Sequence, residues 1–387
     1  MFDPTKVISK KCADIKPSGI RKFFDLLETM PDVVSLTVGQ PDFVTPWKIR
    51  EAAIESIEKG RTYYTSNAGT QKLRDALSDY LTSFDLHYDP KKEIIVTCGG
   101  SEAVDAAIRA LVDEGDEVIV HSPNFVCYEP LVNLCGGKCV TIETVAEEDF
   151  KVTPEKLRAA ISPKTKLLVL SYPNNPTGAV MEREDLEALA NVIKDTDICV
   201  LSDEIYAELT YGQKHVSIAS LPGMRERTVV VSGFSKAFAM TGWRLGYACA
   251  PKEIASQILK IHQYAIMCAS TASQFAGIEA LTSCLEAKDE MVREYDRRRK
   301  IVVNELQNIG LKCYVPKGAF YVFPDIRVSG LTSDQFAEKL LFEYKACVVP
   351  GNAFGDCGEG FVRISYAYSV DHIKEGISRI GEMLKSL

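Results

Sequence analysis

Short apolar segments alternate with helix-like segments along most of this 387-residue chain. Several of the apolar segments are rich in β-branched residues and apolar throughout, which is typical of strands that are buried on both faces. Segments with helical periodicity, such as 101–112 and 184–194, separate many of them. This alternation predicts an α/β fold in which helices flank a mostly parallel sheet. The predicted strands are residues 94–98, 117–121, 138–142, 166–171, 198–202, 228–232 and 246–250.

The repeating pattern ends near residue 286. A charged helix-like segment begins there, and shorter apolar segments follow it, including 319–323 and 361–365. A chain of this length is sufficient for about two domains. We therefore predict a large domain at 42–285 and a smaller C-terminal α/β domain at 286–387. The N-terminal segment, 1–41, is expected to pack with the smaller domain.

Composition excludes several classes of partner. The net charge of −8 argues against binding to nucleic acid or to an anionic membrane surface. No apolar run approaches the roughly 20 residues that a membrane span requires, and the N-terminus lacks the apolar core of a secretory signal. The 12 cysteines are scattered, and none is clustered with a histidine at zinc spacing. We expect no metal site, and reduced thiols in a cytoplasmic protein.

Lys236 lies just past a predicted strand, in a loop of small residues. The sequence from Gly233 to Gly246 is G-F-S-K-A-F-A-M-T-G-W-R-L-G, which places Arg244 eight positions after the lysine. A lysine amine can form a Schiff base with an aldehyde cofactor, and an arginine can hold an anionic group nearby. The alternative is a surface lysine on an ordinary loop, and the agreement of other motifs argues against it.

Three further motifs suit the binding of charged groups. Residues 97–104, T-C-G-G-S-E-A-V, place glycines and a helix start after a predicted strand, where backbone amides and the helix dipole favour an anion. Asp203 directly follows another predicted strand, and an ionised carboxylate there needs a cationic partner that offsets its desolvation. Glu204 is the alternative residue for this role. Arg363 lies within an apolar segment, and its fork suits a carboxylate. Ligands of open α/β sheets bind beyond the carboxyl ends of the strands, so we expect these motifs to meet there.

Together these motifs resemble those of the fold-type I, pyridoxal 5′-phosphate (PLP) dependent aminotransferases of class I/II. The resemblance extends over nearly the whole chain, from S-G-I-R-K-F-F-D-L at 18–26 to R-I-S-Y at 363–366. The segments S-L-T-V-G-Q-P-D-F, Y-T-S-N-A-G and L-S-D-E-I-Y-A-E-L-T-Y are similar to those of a bacterial subgroup that includes N-acetyl-LL-diaminopimelate and aromatic aminotransferases. The resemblance implies that the large domain binds PLP and that the active site is shared between the two subunits of a homodimer.

The resemblance implies a role for each residue near the cofactor ring. Lys236 would form the Schiff base and move the proton, and Asp203 would pair with the ring nitrogen. Tyr206 and Asn175, the latter in S-Y-P-N-N-P-T-G, would hydrogen-bond the phenolic oxygen, although N-P-T-G could be only a turn. Phe125 would cover the ring, with core or surface packing as the alternative. Tyr128 could substitute for it as the cover.

The phosphate and the substrate have their own implied ligands. The serine that is common in the family three residues before the lysine is Gly233 here, which leaves Ser235 as the nearby hydroxyl. Arg363 would bind the substrate carboxylate, Asn175 would also contact the substrate, and the backbone of Gly39 would approach it. Arg21 is the nearest candidate to bind a distal carboxylate of the substrate. The alternative is that it is an arginine on the surface of a helix. The implied phosphate ligands are Gly100, Ser101, Ser235 and Arg244, with Tyr64 reaching the phosphate of the neighbouring subunit.

The expected reaction is the transamination of an L-amino acid in amino-acid biosynthesis. The donor would be N-acetyl-LL-diaminopimelate or an aromatic amino acid, and 2-oxoglutarate the acceptor. The fold alone does not establish this reaction, because PLP-dependent carbon–sulfur β-lyases share it. A regulatory PLP-binding protein without turnover is a further alternative from a different class.

Overall fold

The structure, a computed structural model, describes residues 2–17, 30 and 32–387. Its strands come in two groups, a long set in the first two thirds of the chain and a short set at either end. In chain order they are β1 (Val34–Ser35), β2 (Ile94–Thr97), β3 (Glu117–Ser122), β4 (Lys138–Glu143), β5 (Thr165–Ser171), β6 (Cys199–Asp203), β7 (Thr228–Gly233), β8 (Gly246–Cys249), β9 (Lys312–Cys313), β10 (Tyr321–Val322), β11 (Pro324–Asp325), β12 (Ala346–Cys347), β13 (Val349–Pro350) and β14 (Val362–Ser365).

Helices separate most of the long strands and dominate the C-terminal part of the chain. In chain order the described α-helices are α1 (Lys10–Ala13), α2 (Trp47–Glu58), α3 (Gln71–Leu81), α4 (Gly100–Leu111), α5 (Tyr128–Cys135), α6 (Pro154–Ala160), α7 (Arg183–Ile193), α8 (Lys252–Ala265), α9 (Thr271–Ser283), α10 (Leu285–Asn308), α11 (Ser333–Tyr344) and α12 (Val370–Lys385). Within the described ranges, none of them has both the length and the apolar composition needed to cross a membrane.

A seven-stranded sheet forms the centre of the molecule, in the order β2–β8–β7–β6–β5–β3–β4. Each of its strands matches a predicted strand to within one residue at either end. Strand β8 is antiparallel to both of its neighbours, and the other pairs are parallel. Alternate residues of β2 enter different clusters: Ile95 packs with α4 and α8, and Ile94 packs with α2, α3 and α9. This confirms the predicted α/β fold with a mostly parallel sheet covered by helices.

The C-terminal part of the chain has its own core. The antiparallel sheet β10–β14–β13 packs with α10, α11 and α12 around a separate cluster of buried side chains. Strand β1, near the N-terminus, pairs in parallel with β12, and its Val34 is opposite Ala346. Part of the N-terminal segment therefore lies against the C-terminal part. The boundaries of the domains, at 42–285 and 286–387, stay a prediction.

Local capping explains where several helices begin. The Thr70 hydroxyl accepts a hydrogen bond from the amide of Leu73 at the start of α3. Helix α11 starts with a reciprocal capping box between Thr332 and Gln335. Helix α4 differs, because its N-cap is Gly99 with a φ of 85° and no side chain caps the first turn. The first backbone amides of α4 therefore have no side-chain acceptor from the cap residue and can donate to a ligand. This end of the helix faces the site described next.

Candidate active site

A cavity of about 260 Å³ lies beyond the carboxyl ends of β5, β6 and β7. The strand register explains why distant motifs meet here: Asp203, the last residue of β6, lies opposite Ser171 of β5 and Val231 of β7. The predicted site residues that line the cavity are Gly39, Gly100, Ser101, Phe125, Asn175, Asp203, Tyr206, Ser235, Lys236, Arg244 and Arg363. The fold thus brings together eleven residues that come from eight separate segments of the sequence.

Lys236 lies in the loop that follows β7, with its amine inside the cavity. Its Nζ donates a hydrogen bond to the carbonyl of Gly39 at 2.6 Å. Burial, together with the nearby cations Arg363 and Arg244, lowers the pKa of the Lys236 amine to about 8. A substantial fraction of the amine is therefore neutral and nucleophilic near physiological pH, which an ordinary lysine is not.

Asp203 is held by neutral donors. The Tyr128 hydroxyl donates to Asp203 Oδ2 at 2.8 Å, and the amide of Ile205 donates to Oδ1 at 3.2 Å. Burial nevertheless raises the pKa of the Asp203 carboxyl to about 6. A cationic partner in the cavity would lower this pKa and stabilise the ionised carboxylate.

The structure separates residues that the sequence left as alternatives. Glu204 does not line the cavity; it accepts hydrogen bonds from Ser202 and Ser217 and lies 2.9 Å from His215. Tyr128 also lines the cavity; that it could cover the ring in place of Phe125 stays a prediction, and its hydroxyl contacts the Asp203 carboxylate. That contact was missed because the two residues are 75 positions apart.

One end of the cavity is built to receive an anion. The first turn of α4 opens on it, and Ser101, Ser235 and Arg244 line it. A Cβ added to Gly99 would lie 2.5 Å from Arg244 Nη2, so only glycine lets the guanidinium approach the helix start this closely. Arg244 itself has a φ of 50°, an uncommon value for a residue with a side chain. Helix amides, two hydroxyls and a cation form a donor set that suits a phosphate.

Arg363, which also lines the cavity, is a buried cation. Its Nη1 donates to Asn175 Oδ1 at 2.9 Å and its Nη2 to the carbonyl of Thr37 at 2.6 Å. The guanidinium lies over the rings of Tyr321 and Phe354, and its Nε is buried without a partner. Among the described residues, no carboxylate forms an ion pair with Arg363, so the site has room for an external one.

Tyr206 and Asn175 also line the cavity. The hydroxyls of Tyr206 and Tyr321 lie 2.8 Å apart. Because Asn175 accepts from Arg363 through Oδ1, its Nδ2 amide remains a donor for another acceptor. Tyr321 was missed by the sequence analysis, which read residues 319–323 only as a strand of the smaller domain.

Tyr64 is the predicted cofactor ligand that this chain does not bring into the cavity. Tyr64 is 76% exposed and does not line it. Its loop is fixed instead to the start of α9, where Thr271 donates to the carbonyl of Tyr63 and Gln274 donates to Thr65. The suggestion that Tyr64 serves a neighbouring subunit therefore stays a prediction. Arg21 lies outside the described residues.

These features fit PLP, which carries an aldehyde, a ring nitrogen and a phosphate. The lysine of lowered pKa suits the aldehyde, the buried Asp203 suits a cationic ring nitrogen, and the cradle of Gly99 and Arg244 suits the phosphate. The unpartnered Nε of Arg363 leaves a carboxylate site beside them. Fold and site together are those of a PLP-dependent enzyme that acts on a carboxylate-bearing substrate.

Comparison with known proteins identifies the family. The chain belongs to the family of class I and II aminotransferases, whose model matches residues 31–380. It is 52% identical over 381 residues to the putative aminotransferase YugH of Bacillus subtilis, covering 98% of this chain and 99% of the relative. It is 44% identical over 375 residues to the probable N-acetyl-LL-diaminopimelate aminotransferase of the same species, covering 97% and 95%. The protein is therefore an aminotransferase, and its cofactor is PLP.

A solved structure agrees with this assignment. The aromatic aminotransferase of Pyrococcus horikoshii OT3 superposes with a TM-score of 0.90 at 44% identity, covering 94% of this chain and 99% of that one. Other relatives of similar identity are named aspartate aminotransferases. The comparisons thus confirm the reaction class and leave the substrate open.

Proposed function

We propose that the protein transaminates an L-amino acid whose α-carboxylate binds Arg363. The observation that carries the proposal is the buried guanidinium, which donates to Asn175 and Thr37 but pairs with no carboxylate of the described residues. Leaving such a cation unpaired in a buried site is costly, so a ligand anion is its natural partner. An arginine fork binds a carboxylate through two parallel hydrogen bonds, which also fixes the orientation of the substrate.

The other site residues are proposed to position the cofactor and to transfer a proton. When bound, PLP supplies an aldehyde that exchanges amines and a cationic ring that withdraws electrons from the α-carbon. Lys236 holds the cofactor and, as a buried amine with a pKa of about 8, takes and returns a proton at Nζ. Asp203 stays ionised against the ring nitrogen, supported by the Tyr128 hydroxyl. Phe125 covers the ring, while Tyr206 and Asn175 donate to its phenolic oxygen.

The proposed donor is N-acetyl-LL-diaminopimelate or an aromatic amino acid, with 2-oxoglutarate as acceptor. The cations that line the described cavity are Lys236, Arg244 and Arg363, and each already has a proposed partner in the aldehyde, the phosphate or the α-carboxylate. No further described cation is available there for the short side chain of aspartate. The acceptor 2-oxoglutarate is proposed from the resemblance to the family, because the lining of the described cavity does not itself identify a partner for its distal carboxylate.

A homodimer with a shared active site completes the proposal. Large apolar side chains are exposed in the Tyr64 loop, on α2 and at the end of α8, among them Tyr64 at 76% and Tyr264 at 87%. Apolar surfaces of this kind mark interfaces. Tyr64 would reach the phosphate site of the partner subunit, where Gly100, Ser101, Ser235 and Arg244 provide the other contacts. We place the enzyme in the cytoplasm and in amino-acid biosynthesis.

A donor panel tests the substrate assignment. The purified enzyme is mixed with aromatic amino acids, N-acetyl-LL-diaminopimelate and aspartate, and the half-reaction is followed by the change in cofactor absorbance. An advantage of about tenfold in kcat/KM for aspartate, equal to about 1.4 kcal/mol of transition-state binding, would contradict the proposed pocket. Steady release of pyruvate and ammonia from cysteine-type donors would instead favour elimination.

Two further variants test the residue roles. Lys236→Ala protein should lose the cofactor link that borohydride reduction traps, and a retained link would reject Lys236 as the holding residue. Mixing inactive Lys236→Ala subunits with inactive Tyr64→Ala subunits should restore activity, because each mixed dimer then contains one intact site. Absence of recovery in demonstrated mixed dimers would contradict the shared site.

A further inference from the structure

Tyr321 lines the cavity and contacts several residues of the proposed site. Its hydroxyl lies 2.8 Å from the hydroxyl of Tyr206, and its ring lies under the guanidinium of Arg363 at 4.6 Å. A Cβ added to Gly39 would come within 2.7 Å of the Tyr321 hydroxyl, so this oxygen is packed against the backbone that also accepts from Lys236. Tyr321 therefore joins three parts of the proposed site that are far apart in the sequence.

The backbone before Tyr321 holds this side chain in place. Ala319 has a φ of 57°, which is uncommon for a residue with a Cβ. Its amide donates to the carbonyl of Leu209 at 2.8 Å, and its own carbonyl accepts from the hydroxyls of Tyr211 and Tyr366. Such a conformation persists where the surroundings determine it strongly. The Tyr321 side chain is itself buried, with 1% exposure, so close packing restricts the movement of its ring and hydroxyl.

The two hydroxyls share one hydrogen bond but carry two protons. Burial raises the pKa of both phenols, so both stay protonated at physiological pH. One O–H is used between the rings, which leaves the other O–H free to donate elsewhere. When an anionic oxygen of a ligand lies beside Tyr206, the favourable arrangement has Tyr321 donating to Tyr206 and Tyr206 donating to the ligand.

We propose that Tyr321 is a positioning residue that acts through Tyr206 by directing the Tyr206 proton toward the phenolic oxygen of the cofactor. The inference rests on the proposed function, because it requires PLP beside Tyr206. Consecutive hydrogen bonds polarise one another, so Tyr206 becomes a stronger donor when Tyr321 donates to it. A stronger donor stabilises the phenolic anion and lowers the pH at which the bound cofactor titrates.

The test is a pH titration of the cofactor absorbance in the purified holoenzyme. Tyr206→Phe, which removes the direct donor, should raise the pKa of the absorbance change by about one unit. Tyr321→Phe keeps the ring under Arg363 and should raise the pKa of the absorbance change by about half as much. The matched control is Tyr172→Phe, which removes another buried hydroxyl, bonded to the carbonyl of Phe150 at 2.9 Å, and should titrate as wild type.

A double variant separates this role from a general loss of packing. If Tyr321 acts only through Tyr206, the Tyr206→Phe/Tyr321→Phe protein should titrate like Tyr206→Phe alone. Additive shifts, or a Tyr321→Phe titration that coincides with that of Tyr172→Phe, would overturn the inference. Tyr321→Met, which also lacks the hydroxyl, replaces the phenylalanine variant if that protein does not fold. A wild-type protein without any cofactor absorbance would instead refute the proposed function itself.

Discussion

Replacing Arg363 with lysine tests how much the planar guanidinium, rather than its charge alone, contributes to substrate binding. The substitution keeps the positive charge but removes the planar guanidinium that donates to Asn175 at 2.9 Å and to Thr37 at 2.6 Å. A lysine amine is a point donor on a flexible stem and cannot hold both protein acceptors and bind a carboxylate bidentately. The expected effect is therefore on the binding of the substrate carboxylate rather than on the cofactor.

The size of this effect follows from one lost hydrogen bond. A hydrogen bond to a charged group contributes about 1.5–3 kcal/mol, and each 1.4 kcal/mol corresponds to about tenfold in rate. We therefore expect Arg363→Lys to lower kcat/KM of the amino-acid half-reaction by about 10- to 100-fold. The Thr37 carbonyl also loses its charged donor, so a moderate loss of stability should accompany the change.

Stopped-flow absorbance of the half-reaction measures this loss directly. The matched control is Arg299→Lys on α10, since Arg299 also lies over a tyrosine ring, that of Tyr211 at 5.2 Å, and pairs with Asp296 at 2.7 Å. That variant should stay within about twofold of wild type, because Arg299 does not line the cavity. A decarboxylated amine donor supplies a second check, because its slow reaction should be insensitive to Arg363→Lys. A loss below threefold with the amino acid, or an equal loss with the amine, would refute the reasoning.

Two other predictions follow from the geometry. Uptake of PLP by cofactor-free protein should accelerate with rising pH, with a midpoint near pH 8 and a plateau about one pH unit higher, because the neutral amine of Lys236 is the reactive form; a midpoint of the stopped-flow rates near the ordinary value of 10.5 would contradict this. Gly178→Ala should lower the free energy of unfolding by about 2–4 kcal/mol, because φ is +72° and the new Cβ would lie 2.3 Å from Pro316 Cβ. Gly212→Ala, with φ +76° and open space, should lower it by only about 1 kcal/mol, and equal losses in urea unfolding would reject the steric argument.

The central sheet could be predicted from the sequence because its signals are local, whereas most of the cavity residues were predicted from the resemblance to the family. Each buried parallel strand is a short apolar segment, and β5 to β7 end where the sequence turns polar. Residues placed just after those ends must meet at one edge of the sheet, whatever the details of packing. Lys236 and Asp203 were therefore found from their positions relative to β7 and β6.

Only the tertiary structure decided how the side chains pair across the cavity. Tyr206 and Tyr321 are 115 positions apart, and Asp203 and Tyr128 are 75 apart, so no local periodicity encodes either contact. The charge state of Lys236 is likewise a property of the assembled site, since burial lowers its pKa. Local sequence determines where a side chain leaves the backbone, whereas its partners and its solvation depend on segments that meet only when the chain is folded.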